Sequence, residues 1–388
     1  VALALILTLT AFIRFDIEGD LEGIYILRGI GGKLFEVRDD VFLGEYERVL
    51  WKFDFQPLLA GSFTPKENRQ EAASFLKYKW HQGKGHGYIQ SFLSGGRKLI
   101  LCFGRFLDSE NKAPNGLFVG GGLPYSKYED SMVKMNETGM AYYDGRNWQH
   151  IWCNANEAIV SASSPTTMIY PSSWQFLGSK VLLASNSEII IKSSHQTSID
   201  GVPVRIDRFA LMRAGDTYFL LIIKLTNIGD KPTGYYYVYG DEPWVGDYGS
   251  SAGNVGWTAE RLYNYEATVD PLRNSFAGMY DLGNKVVPGE RGKFSKTANF
   301  IEWIGMVRPA LVYFSNKEGK ISDESMKVPL YSRDNRVLFL QWGPRPLLPN
   351  QPETIIMAIG MAAHDQRTDF PRKPEVKINW DDLNYLLK

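Results

Sequence analysis

The chain has 388 residues, of which 43 are basic and 43 acidic, 44% are hydrophobic and 13% aromatic, with 10 Trp and 21 Tyr. Zero formal charge and the lack of a dense basic stripe exclude the electrostatics of a nucleic-acid or anionic-membrane binder. Two cysteines, Cys102 and Cys153, are too few for a disulfide framework and wrongly spaced for a zinc ribbon, so they form one bridge or stay buried thiols.

Residues 1–12 are nearly all Ala, Leu, Ile and Val, broken by Thr8 and Thr10 and closed by Arg14 and Asp16. A spanning helix needs about 20 apolar residues, so this run matches the apolar part of a signal peptide or signal anchor. A segment 1–15 of that kind implies an exported protein, periplasmic or extracellular, that touches a membrane or a protein partner through its amino terminus. The competing reading is a buried first strand or core helix.

Strand-like segments follow at Ile24-Tyr25-Ile26-Leu27, Leu34-Phe35-Glu36-Val37 and Val49-Leu50-Trp51-Lys52-Phe53, separated by Gly and Asp turns. The period then changes. Thr64-Pro65-Lys66-Glu67 reads as a capping box with Pro at the first helical position, and Ala72, Phe75, Leu76 and Lys79 continue at helical spacing. One short helix is therefore predicted near 65–79, ended by the Gly-rich His81-Gln82-Gly83-Lys84-Gly85-His86-Gly87. This gives three units: the apolar segment 1–15, the strands and helix of 16–97 packed on the main domain, and a main β-sandwich over 98–388.

Beyond Lys98 strands follow one another without helices: Leu99-Ile100-Leu101-Cys102-Phe103, Val181-Leu182-Leu183, Ile189-Ile190-Ile191, and then residues 204–212, 218–225 and 235–239. Arg213-Ala214-Gly215-Asp216 and Asn227-Ile228-Gly229-Asp230-Lys231-Pro232 supply the turns, so the last three read as an antiparallel meander. Residues 218–225 are almost continuously apolar, as expected of a strand buried on both faces. The meander closes on Gly240-Asp241-Glu242-Pro243-Trp244. Later strands stand at Leu311-Val312-Tyr313-Phe314, Val337-Leu338-Phe339-Leu340-Gln341-Trp342 and Thr354-Ile355-Ile356-Met357-Ala358-Ile359. This succession predicts an all-β chain, a large antiparallel two-sheet sandwich. Residues 108–130 and 246–284 are long and Gly-rich, and such stretches on a rigid scaffold are where binding sites concentrate.

The turn Leu225-Thr226-Asn227-Ile228-Gly229-Asp230-Lys231-Pro232, the aromatic strand and acidic corner after it, and Leu347-Leu348-Pro349-Asn350-Gln351-Pro352-Glu353 leading into residues 355–361 resemble the supersandwich of galactose mutarotase-like proteins. The resemblance spans residues 24–363 and lies at the level of fold. It implies carbohydrate as the ligand class and leaves the reaction open, because the superfamily includes epimerases, polysaccharide lyases and domains of glycoside hydrolases and phosphorylases. The His and Glu motifs of aldose epimerases do not stand in this chain.

Candidate site residues are therefore chosen by chemistry. Asp241, Glu242, His195 and His364 can exchange protons or stabilise charge on a sugar, and are the catalytic candidates. Trp244 and Trp257 offer stacking platforms, and Asp247, Tyr248, Arg205 and Arg208 offer hydrogen bonds to hydroxyls or to an acidic sugar. The plainer reading makes the corner a strand-end turn and the His and Arg residues surface ion-pair partners. His81 and His86 flank a Gly-Lys-Gly loop without a carboxylate pair, so no metal is assigned. Gly31-Gly32 and Gly120-Gly121-Gly122 do not lead into a Lys-Ser/Thr pair, so nucleotide and cofactor chemistry are not expected. Two functional readings follow. One is an exported carbohydrate-binding or carbohydrate-processing protein of the cell envelope, and the other is a noncatalytic scaffold or assembly subunit of an envelope complex.

Overall fold

The computed structural model describes residues 24–28, 34–38, 74–83, 85–103, 117, 139–146, 148–152, 156–241, 243, 245–246, 253–282, 295–316 and 336–387. The apolar segment 1–15 and the first half of the helix predicted near 65–79 lie outside them. Strands β1 (Ile24–Arg28) and β2 (Leu34–Arg38) pair as a hairpin. Strands β3 (Phe75–His81), β4 (His86–Phe92), β5 (Lys98–Phe103), β6 (Met140–Tyr143) and β7 (Trp148–Trp152) form a five-stranded sheet in chain order, drawing on both sides of residue 97.

The chain then builds a sandwich. β8 (Asn156–Ser161) and β9 (Met168–Ile169) belong to a six-stranded sheet, and β10 (Gln175–Ala184), β11 (Glu188–Ile199), β12 (Val202–Arg213) and β13 (Tyr218–Asn227) to a ten-stranded one. β14 (Thr233–Asp241) returns to the smaller sheet, and β15 (Asn254–Trp257) and β16 (Leu262–Tyr263) to the larger. β17 (Ala267–Val269) goes to the smaller sheet, β18 (Phe276–Asp281) and β19 (Ala298–Ile304) to the larger, β20 (Leu311–Ser315) and β21 (Val337–Leu347) to the smaller. β22 (Pro352–Asp365) enters the middle of the larger sheet, between β13 and β19, and β23 (Phe370–Arg372) pairs with its end. All pairings between these strands are antiparallel, so the all-β sandwich expected from the sequence is what forms. Among the described residues one α-helix forms, α1 (Trp380–Leu387), at their carboxy-terminal end.

The helix predicted near 65–79 is corrected where it is described, because Phe75–His81 is strand β3. The residues obey period two, not 3.6: Leu76, Tyr78 and Trp80 are all buried, while Phe75 stacks on Phe92 at 4.5 Å and Lys77 lies 5.2 Å over the Phe92 ring on the other face. Cross-strand aromatic pairing and burial of the alternate face outweigh a local capping signal. The helix that does form was not foreseen. Leu383, Leu386 and Leu387 recur at helical spacing and pack on the large sheet, and Leu383 N–H donates to Asn379 O at 3.1 Å.

The meander is also revised at its third strand. β12 and β13 pair along Val204↔Asn227 to Leu211↔Leu220, but the other edge of β13 is taken by β22, with Tyr218↔Gly360 through Thr226↔Pro352. β14 therefore crosses to the second sheet, between β8 and β21. There Tyr235, Tyr237 and Tyr239 are fully buried on one face, and Tyr236 and Val238 are half-buried on the other. Residues 218–225 are buried on both faces as expected. One face joins a core shared by all three sheets, and the other is covered by the chain from β23 to α1 through Phe370, Val376, Ile378 and Leu383.

The crossing turn is pinned by Asn227, which is fully buried. Its amide donates to Lys231 O at 2.7 Å and to Leu347 O at 2.9 Å, and its side-chain oxygen accepts from Gly229 N–H at 2.9 Å. One side chain thus ties the β13–β14 turn to the end of β21. Asn227→Ala leaves two carbonyls and one N–H without that partner, so a loss of about 2–4 kcal/mol is expected. In urea unfolding this should lower the midpoint with the slope unchanged, and a change under about 1 kcal/mol would show that water replaces the amide fully.

Candidate functional site

Of the residues singled out in the sequence, His195, His364, Arg205, Arg208 and Trp257 have described side chains, and these five do not meet in one cleft. His195 on β11 and Arg208 on β12 face the core between the sheets and are buried, with the His195 ring packed 5.9 Å from Trp174 and 5.5 Å from Phe176. Arg205 lies on the opposite face of β12 and donates from Nε to both oxygens of Asp207 at 3.2 and 3.1 Å. Trp257 on β15 is packed edge-on against Phe276 at 4.8 Å, and its indole N–H donates to Asn299 O at 2.8 Å. Its ring faces are thus closed to a ligand. Asp241 ends β14 opposite Leu338, and its side chain, like Glu242, Trp244, Asp247 and Tyr248, lies outside the described residues. Around them Pro243, Val245 and Gly246 are buried, and Asn254 holds Val245 by accepting from its N–H and donating to its C=O, both at 2.8 Å.

His364 on β22 sits between two partners. Its Nδ1 is 2.9 Å from the Tyr280 hydroxyl and its Nε2 is 3.2 Å from Asp369, which also takes Lys296 Nζ at 3.0 Å. The tautomer protonated on Nε2 satisfies both contacts, with Nε2–H donating to Asp369 and Nδ1 accepting from Tyr280. Burial, with Asp369 and Asp281 nearby, pushes the Tyr280 phenol up to about 12, so it stays a neutral donor. Tyr280 is 1% exposed, and the chain of contacts ends on a hydroxyl no solute reaches.

Arg208 makes an ion pair across the sandwich. Its Nη2 lies 3.0 Å from Glu157 of β8, and the two side chains are 2% and 3% exposed. The hydroxyl of Tyr237 donates to the other oxygen of Glu157. Burial pushes the Glu157 carboxyl up to about 7, and Arg208 pulls it partly back. Beside Arg208, Trp80, Phe103 and Ser193 enclose a cavity of about 10 Å³. That volume holds at most about one water, so this acid and base join the two sheets and reach no substrate.

A concavity of ligand size lies elsewhere among the described residues. β16 is the last strand of the ten-stranded sheet and β17 the last of the six-stranded sheet, and where the two edges meet they leave an open groove of about 510 Å³. Glu260 and Arg261 stand in the turn into β16, closed by Thr258 N–H donating to Arg261 O at 3.0 Å. Tyr263 comes from β16, Thr268 from β17, and Ala310 and Leu311 from the start of β20. Asp270, Arg273 and Asn274 come from a turn in which Asp270 Oδ1 accepts from Leu272 N–H at 2.9 Å and Asp270 O accepts from Asn274 Nδ2 at 3.0 Å. The Arg261 guanidinium lies 4.5 Å over the Tyr263 ring, which in turn packs 5.1 Å from Phe314 of the core. The groove therefore offers donors and acceptors, with Arg261 resting on a buried Tyr263, in a volume typical of small-ligand sites. All of its residues but Ala310 and Leu311 fall inside the stretch 246–284 that the sequence marks as a place for binding sites. They were not singled out individually, because charged residues in turns ordinarily read as solvated.

No known family model matches the chain, and no curated protein is similar to it in sequence. Solved structures of galactose mutarotase-like proteins resemble it at the level of fold. A Klebsiella pneumoniae protein described as an aldose 1-epimerase aligns over 74% of this chain and 83% of its own, at 10% identity and a TM-score of 0.38. A galactose mutarotase-like protein of Clostridium acetobutylicum aligns over 74% of this chain and 98% of its own, at 8% identity and a TM-score of 0.34. A heparan sulfate lyase of Pedobacter heparinus aligns over 86% of this chain and 42% of its own, at 9% identity and a TM-score of 0.30. These likenesses concern fold alone.

The buried pair carries a pH signature. With the folded Glu157 carboxyl at about 7 and an unfolded one near 4.5, the folded state holds one more proton across that window. Stability from this group is therefore greatest below about pH 4.5, falls as pH rises to about 7, and is level above it, a total of about 3 kcal/mol. Denaturant unfolding at several pH values should show this fall in the native chain and its absence in Glu157→Gln. An identical pH profile in the two would place the Glu157 carboxyl in the ordinary range.

Proposed function

We propose that this chain binds carbohydrate and that its ligand lies in the edge groove between β16 and β17. The observation carrying the reading is a groove of about 510 Å³ in which Glu260, Arg261, Asp270, Arg273 and Asn274 surround Tyr263. Planar polar side chains match pairs of neighbouring sugar hydroxyls, with carboxylates accepting and guanidinium or amide groups donating. Two carboxylates in one groove also leave room for processing the sugar, since acid and base roles in glycoside chemistry need such a pair. Export to the cell envelope belongs to the same reading and is supported by the apolar run of residues 1–12. A reporter that folds only outside the cytoplasm, fused after residue 15, tests that part, and retention in the cytoplasm removes it.

The scaffold reading is favoured by a different observation, the packing of His195, Arg208 and Trp257 into the core. A glycan screen over envelope and plant polysaccharides separates the two. Binding is expected, and Glu260→Ala or Asp270→Ala should weaken it about tenfold or more, because a hydrogen bond to a charged group contributes roughly 1.5–3 kcal/mol. Asp230→Ala, in an exposed turn outside the groove, should leave affinity unchanged. Silence across the screen, or equal loss in all three variants, would leave the scaffold reading in place.

A further inference from the structure

The polar groups of the groove differ in how firmly they are held, and that difference selects among sugars. Arg273 is 85% exposed and sits 3.5 Å from Asp270, an exposed pair that cancels its own charge. Glu260 stands on an exposed turn and makes no ion pair among the described residues. Arg261 also makes no ion pair among them, but its guanidinium carbon lies 4.5 Å over the Tyr263 ring, and Tyr263 is anchored on Phe314. A guanidinium resting over an aromatic ring loses part of its freedom to that contact while its N–H groups stay available to a ligand, so part of the ordering cost of binding is already met. Its donor fork fits a planar two-oxygen acceptor, the geometry of a carboxylate, better than single hydroxyls. Glu260 and Asp270 line the same groove as acceptors, which suits hydroxyls and disfavours a second anionic group.

We infer that the groove selects a uronate-bearing glycan, with the sugar carboxylate on Arg261 and its hydroxyls toward Glu260 and Asp270. This rests on the proposal that the groove binds carbohydrate. The test uses stereochemically matched pairs, trigalacturonate against galactotriose and trimannuronate against mannotriose, titrated calorimetrically into the full chain. In at least one pair the uronate should bind about tenfold or more tighter than its neutral counterpart. Raising salt should shrink that ratio, because the contact is open to solvent. Arg261→Ala should bring the ratio to about one, the uronate losing far more affinity than its neutral counterpart. Arg261→Lys, which keeps charge and stem but loses the fork, should lose most of the preference and controls for folding. Equal binding of acidic and neutral sugars overturns the uronate assignment and leaves carbohydrate binding standing. A uronate preference untouched in Arg261→Ala overturns the role of Arg261. Binding of neither member of either pair, where the glycan screen also finds nothing, overturns the reading of the groove itself.

Discussion

A strand that is apolar on both faces must be covered on both, and β13 imposes this condition on the molecule. Phe219, Leu221 and Ile223 point into the core shared by the three sheets, and Leu220 and Ile222 point the other way. Each such side chain contributes roughly 1.5–3 kcal/mol when removed from water, so neither face can be left open. β22 brings a second apolar run alongside, and the chain from β23 to α1 lies over the outer face. The polar anchors of that segment follow: Lys224 Nζ donates to Leu387 O at 2.5 Å, and Lys377 N–H donates to the Tyr218 hydroxyl at 2.8 Å.

The same condition explains where His195 and Arg208 stand. Once β11 and β12 lie in the middle of a covered sheet, His195 and Arg208 are directed between the layers. A charge there has to be paired, and Glu157 from the opposite sheet supplies the partner. The result is an acid that titrates near neutrality yet faces only Arg208 and tyrosines. A shifted carboxyl is a frequent companion of active sites. Here its cause is burial, and the cavity beside it admits no more than a water.

Openings in a sandwich occur where its sheets end. The groove lies at such an end, between two short strands that, among the described residues, each have no further neighbour in their own sheet. Short edge strands limit pairing with other chains, and the turns that join them can carry charged residues without disturbing the core. Tyr263 links the two regimes, packed on Phe314 beneath and covered by Arg261 above. The groove is therefore built on the rigid body of the sandwich even though its polar groups come from turns.

Much of the architecture was legible in residue order. Runs of strand formers punctuated by Gly, Asn, Asp and Pro indicated an antiparallel all-β chain, and the near-continuous apolarity of residues 218–225 indicated a strand covered twice, because these properties depend on local pattern and water alone. Residues 75–81 misled because helical spacing and a capping box are local signals, whereas the alternation of Leu76, Tyr78 and Trp80 gains meaning only beside β4. Sequence likewise identified 246–284 as a stretch suited to binding, but not Arg261 or Asp270 within it. Which neighbour each strand takes, that β14 crosses to the other sheet, that Arg208 meets Glu157 and that two edges frame a groove were decided by tertiary structure. Each depends on contacts between residues far apart in the chain, and no local pattern encodes which distant partner will cover a given face.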